Sequence, residues 1–264
     1  MTIEGVRRKS GDGYDIFYVD SLSEQFKEII RADLSTICYG PRLSGSGTKL
    51  HTYEKTIKEL HKRYSTKSEE TQTGMIGELI AHVTIRHNLP ELKSISILIN
   101  PNEMSIKKGF DLNFLKSSEL WYGEVKASRS IKTLDTDNKS LLTKAKASLV
   151  TNFGTEELRD SLWLGAINES AIMFNDDELQ PISRLLDESH DEIAERAAKA
   201  TNVILISVPF HETSKAEISE KEVIEYLTKL KEEGAFNDVA LVCVQKSLFK
   251  AVEDFMAEEA TAYA

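Results

Sequence analysis

Four side chains have types and spacing that could do chemistry together: Glu78, Asp111, Glu124 and Lys126. Glu124 and Lys126 are separated by one residue, and positions i and i+2 of a strand project from the same face. Two acidic groups held close together repel unless a cation sits between them. Hard oxygen ligands suit Mg²⁺ or Mn²⁺. Such an ion neutralises a phosphate oxygen and acidifies a bound water. A lysine beside it can orient that water and stabilise developing charge. Phosphodiester hydrolysis needs those parts, because its transition state gains negative charge that must be met electrostatically.

The bland reading stands beside this one. A carboxylate two residues before a lysine also occurs at Glu91-Leu92-Lys93, in a loop after Pro90, and at Asp137-Asn138-Lys139, at a helix start. Neither follows a strand that carries an Asp. On spacing alone, Glu124 and Lys126 also read as an exposed cross-strand ion pair, and Glu78 as a helix-surface residue. The four in helix, strand, strand order favour a site.

The elements that must position them can be read from periodicity. Gly74 to His87 has helical spacing of Met75, Ile76, Leu79, Ile80, Val83 and Ile85. Ser94 to Asn100, Gly109 to Lys116 and Leu120 to Ala127 read as strands, the last two joined by a turn at Ser117-Ser118-Glu119. If they form a hairpin, residue 111 lies across from about residue 125, near Glu124. Asn138 to Phe153 reads as a helix stopped by Gly154. Tyr14 to Val19 reads as an earlier strand, followed by a helix capped at Ser21 or Ser23 that runs to about Ala32. Gly40 to Gly47 and Ser65 to Thr73 read as loops, with a helix from Leu50 to Tyr64 between them. Asp187 to Ala200 and Ser219 to Glu233 read as helices. Asn202 to Pro209 and Asp238 to Gln245 are apolar enough for strands buried on both faces. The tail after Lys246 reads as an amphipathic helix. This order predicts an α/β fold on a mixed sheet.

Other chemistries fail on spacing. The glycines near residue 45 do not match a P-loop, and His82 and His87 lack the glutamate of a zinc-protease helix. Cys38 and Cys243 are too few for a zinc site or a disulfide framework and read as buried thiols of a reducing compartment. The opening residues have no apolar stretch of a signal peptide, and no run reaches membrane-span length. The expectation is a soluble, cytoplasmic protein without a membrane partner. A formal charge of -10 argues against coating nucleic acid by bulk charge. Between Lys107 and Lys132, however, six basic residues outweigh three acidic ones, which allows a local basic groove. From Asp176 to Lys199 the balance reverses to eight acidic against three basic. That half reads as the side away from any nucleic acid, or as a docking face.

Across Gly74-x-x-Gly77-Glu78, Gly109-Phe110-Asp111 and Gly123-Glu124-x-Lys126, the chain resembles the PD-(D/E)xK nuclease superfamily. Within it, the chain most resembles the HamA family, nuclease subunits of the Hachiman antiphage defence system. The resemblance implies a restriction-endonuclease-like core with a mixed central sheet flanked by helices. The nuclease-like core would span residues 66–264, and residues 1–65 read separately as an N-terminal strand and helix segment packed on that core or on a partner. The resemblance implies a metal-dependent DNA nuclease in which Asp111 and Glu124 bind Mg²⁺ (or Mn²⁺). Glu78 would assist through the metal or its waters, and Lys126 would position the attacking water. It also implies a helicase subunit, HamB-like, as partner. Lys107, Lys108, Arg129, Lys132, Lys144 and Lys146 are the candidate DNA contacts. Two departures are visible: Phe110 stands where the nominal motif has Pro, and the helix from Asn138 lacks the Gln and Tyr of the RecB-like branch. Two other roles remain for the same core: a stand-alone restriction-type endonuclease, or an inactive nuclease-like binding scaffold.

Overall fold

The computed structural model describes residues 3–99, 110–129, 133–211, 216–246 and 249–263. Among these residues, seven strands form one sheet: β1 (Val6–Gly11), β2 (Tyr14–Val19), β3 (Lys93–Ser94), β4 (Leu112–Lys116), β5 (Glu119–Arg129), β6 (Asn202–Phe210) and β7 (Asp238–Lys246). Their spatial order is β1-β2-β7-β6-β5-β4-β3. The central neighbours β2, β7, β6 and β5 run parallel, and the pairs at both margins are antiparallel. The sheet is therefore mixed. Lys107, Lys108 and Lys132 lie outside the described residues.

Helices cover both faces. α1 (Glu24–Ser44), α2 (Tyr53–Ser65), α3 (Glu69–Asn88) and α8 (Phe249–Ala262) build one core, around Phe26, Leu60, Leu79 and Val252. α4 (Leu134–Gly154), α5 (Glu156–Met173), α6 (Asp176–Arg196) and α7 (Glu220–Glu233) build the other, around Leu149, Trp163, Leu186 and Leu227. Strand alternation sends Trp121 and Val125 of β5 into the first core, and Leu120 and Tyr122 into the second. β6 lies in the middle of the sheet and feeds both cores, which is why Val203-Ile-Leu-Ile206 is a continuous apolar run.

Several elements differ from the sequence reading for identifiable reasons. α1 runs on to Ser44 but is broken at Gly40, whose φ of 76 is non-helical, and at Pro41. Pro41 has no N–H to offer the Ile37 carbonyl. Leu98 N–H takes that carbonyl at 2.8 Å, and Ile99 N–H takes the Cys38 carbonyl at 3.3 Å. The stretch from Ser94 therefore leaves the sheet after β3 to mend the break in α1, and does not form a full strand. β1 carries Val6 as its one buried residue, so no alternation announces it. α5 spreads its apolar residues around the helix and follows directly on the stop at Gly154. The polar run before Gly74 is already helical from Glu69, because Ser68 accepts the Thr71 N–H as N-cap.

The β4–β5 turn matters most for the site. Ser117 and Ser118 both have positive φ, 50 and 66, so the connection has two residues, and Glu119 is already the first residue of β5. The register pairs Lys116 with Glu119 and Leu112 with Gly123. One further step puts residue 111 opposite residue 124.

Candidate active site

β5 presents the charged pair. With Tyr122 anchored in one core and Val125 in the other, Glu124 and Lys126 stand on the α4 side of the sheet. Glu124 is buried, at 5% exposure, and Lys126 is half-buried. Lys126 Nζ donates to Glu124 Oε1 at 2.6 Å. Ser148 Oγ, from α4, donates to the same oxygen at 2.6 Å. α4 is seated there by Leu142, Ala145, Leu149 and Phe153 in the second core.

Asp111 immediately precedes β4. Its Oδ2 accepts the backbone N–H of Val125 at 2.8 Å, one residue along β5 from Glu124. Glu78 arrives from the other face on α3. A Cβ built on Gly77 would lie 2.4 Å from the Ala127 Cβ, so the missing side chain lets α3 rest directly on β5. That contact brings the next residue, Glu78, within electrostatic reach of both Asp111 and Lys126.

The electrostatics are those of crowded carboxylates around one ammonium. Desolvation is the largest cause holding Asp111 well above the usual carboxylate range. The charges of Glu124 and Glu78 add to it, while Lys126 and the Val125 N–H pull the other way. Desolvation would lower the Lys126 ammonium, but Glu124, Asp111 and Glu78 outweigh it, and the net shift is upward.

Among the described residues, no group of three or more His, Cys, Asp or Glu side chains is gathered closely enough to hold a metal ion. The chemistry of Asp111 and Glu124 nevertheless fits a hard divalent cation. Mg²⁺ is commonly held by one or two carboxylates, with water and substrate phosphate completing its shell. Desolvation and then the charges of Glu124 and Glu78 raise Asp111, and such a cation would offset both.

The candidate DNA contacts within the described residues do not form one cluster. Arg129 is exposed, and its guanidinium lies 4.0 Å over the ring of Phe249, on the α8 side. Lys146 is ion-paired with Glu233 of α7. Lys144 is exposed one helical turn before Ser148, on its face of α4.

Sequence reasoning missed Ser148, and with it the buried pair Ser207 and Asn138, whose side chains hydrogen-bond between β6 and α4. A signal was present. Asn138 and Ser148 are polar residues on the stripe of α4 that also carries Leu141 and Ala145, and polar residues facing a core need partners.

No curated protein matches the chain. The sequence model of the HamA family matches residues 4–253, a span that includes Glu78, Asp111, Glu124 and Lys126. That covers nearly the whole chain, and the protein therefore belongs to the HamA family.

Proposed function

We propose that the chain is a metal-dependent DNA nuclease of the PD-(D/E)xK type. It would act as the effector of a Hachiman antiphage system beside a HamB-like helicase. Membership of the HamA family is consistent with the defence role. The observation that carries the chemical reading is the meeting of Asp111, Glu124 and Lys126 at one point on β5, with Glu78 in electrostatic reach.

In this reading Asp111 and Glu124 would hold Mg²⁺, which when bound would neutralise phosphate charge and acidify a water. Lys126, half-exposed on a flexible stem, turns from Glu124 Oε1 to orient the attacking water and meet charge on the phosphate. Glu78 accepts hydrogen bonds from waters on the α3 side. Burial of Glu124 strengthens each of these interactions relative to bulk water.

The test is cleavage of plasmid DNA by the full chain, alone and with its helicase partner, in Mg²⁺, in Mn²⁺ and with chelator. Cleavage should require the metal. Glu124→Ala and Lys126→Ala should each abolish it while leaving the circular dichroism spectrum unchanged. Metal-independent cleavage, or full activity in both variants, would overturn the reading. No cleavage by the wild-type pair under any condition would leave the binding-scaffold role in its place.

A further inference from the structure

We infer that Ser148 is a positioning residue of the proposed metal site. It fixes the Glu124 carboxylate so that Oε2 is the oxygen offered to the cation. The inference rests on the nuclease reading above and deepens it. Both side-chain hydrogen bonds of Glu124 end on Oε1, one from Lys126 and one from Ser148, each at 2.6 Å, and Oε2 takes none among the described residues. Two donors on one oxygen use its lone-pair directions and set the plane of the carboxylate. The second oxygen is thereby left as the ligand.

The two donors differ in kind. Lys126 neutralises the carboxylate as it holds it, so it competes with any cation for the same charge. Ser148 is neutral, and it orients Glu124 without cancelling its charge. A serine inside a helix commonly bonds back to the carbonyl one turn earlier. A hydroxyl has a single hydrogen, and Ser148 gives it to Glu124 instead. When Lys126 turns toward the substrate, Ser148 is the donor that stays. It is also held by a rigid element, since Ala145 and Leu149 flank it in the core. Hydrogen bonds to the ligands of a metal are commonly worth about 10- to 100-fold in metal affinity.

The experiment is calorimetric titration of Mn²⁺ into the metal-free full chain, for wild type, Ser148→Ala, Ser148→Thr and Glu124→Ala. No DNA, partner or activity is needed. Ser148→Ala should bind Mn²⁺ about 10-fold more weakly than wild type. Ser148→Thr, which keeps the hydroxyl, should match wild type, and Glu124→Ala should show no binding at this site. Thermal melts of the metal-free variants control for folding. If Ser148→Ala binds as wild type does while Glu124→Ala has lost binding, the inference about Ser148 fails and the metal site stands. If Thr and Ala at this position weaken binding equally, the hydroxyl is not the cause, and the inference is again overturned. If wild type itself binds no Mn²⁺, the metal-site reading fails and takes this inference with it.

Discussion

The carboxylate of Asp111 rests on the backbone N–H of Val125, at 2.8 Å, just past the last β4–β5 pair, Leu112 with Gly123. A side chain therefore satisfies a strand donor beyond the end of the ladder. The same hydrogen bond holds a carboxylate beside Glu124, where desolvation first and like charge second oppose its ionisation. Holding an ionised carboxylate there costs the folded protein stability.

That cost gives a pH-dependent prediction. The folded pKa of Asp111 is raised, so its contribution to stability is fully present below the unfolded value of about 4 and is lost as pH rises above it. Asp111→Asn keeps an oxygen for the Val125 N–H and removes the charge. It should melt above wild type, by a margin that grows as pH rises above the unfolded carboxyl value of about 4. Asp111→Ala removes the acceptor as well and should lose about 1–3 kcal/mol relative to Asn. A melting curve for Asp111→Asn that tracks wild type at every pH would refute the raised value assigned to the buried, crowded Asp111 carboxyl.

The two thiols should be silent in the native protein. Cys38 and Cys243 are both fully buried. Desolvation pushes Cys243 up to about 11 and Cys38 further, against weaker downward pulls from Ser207 and Asn138 on the former. The thiolate is the nucleophile. At pH 8 an aromatic disulfide reagent should titrate no thiol in the folded chain and both in urea. Because both folded values are raised, the stability they contribute is present below the unfolded thiol value of about 8.5 and falls as pH rises past it. Release of one equivalent from the folded chain at the rate of a free thiol would contradict the burial.

Much of the fold was legible in the sequence, and each miss has an identifiable physical cause. Central strands such as Val203-Ile-Leu-Ile206 announce themselves because both faces are buried. Ser219 and Gly234 bracket α7 because capping is local: Ser219 accepts the Glu222 N–H, and Gly234 adopts φ 59. Part of what could not be read depends on partners distant in sequence. The run from Ser94 alternates like a strand, yet its backbone goes to carbonyls released by Pro41. β1 is an exposed margin with no pattern of its own. For the site, residue types and order were readable and the register nearly so, since a two-residue turn replaced a three-residue one. Ser148 could be flagged as a polar residue on a core-facing stripe, but its partner could not be named, because its tie to Glu124 spans two elements.

The isolated chain should bind duplex DNA weakly. The described basic candidates are dispersed or already engaged, Lys146 with Glu233 and Arg129 against Phe249, on a body of charge -10. Fluorescence anisotropy with a labelled duplex near physiological salt should give a Kd no tighter than about 10⁻⁶ M. Addition of the proposed helicase partner should tighten capture. Nanomolar binding by the chain alone would show that it carries a continuous basic track of its own.

The contact of Gly77 with Ala127 should be demonstrable by exchanging which residue carries the methyl group. A Cβ on Gly77 would sit 2.4 Å from the Ala127 Cβ, far inside contact distance, and both backbones are held by core packing on either side. Gly77→Ala should therefore force α3 away from β5 and destabilise by about 1–3 kcal/mol, read from urea unfolding. Because Glu78 rides on the same turn, the variant should also lose metal affinity more than its stability loss alone explains. Ala127→Gly by itself opens a small gap and weakens a strand, for about 1 kcal/mol. In the double variant the clash is gone, and α3 can return to β5 with the methyl supplied from the helix side. The two changes should then be strongly non-additive, with a favourable coupling of about 1–2 kcal/mol between contacting residues. Additive losses would mean that α3 does not lie on β5 at this point, and the route by which Glu78 reaches Asp111 would have to be redrawn.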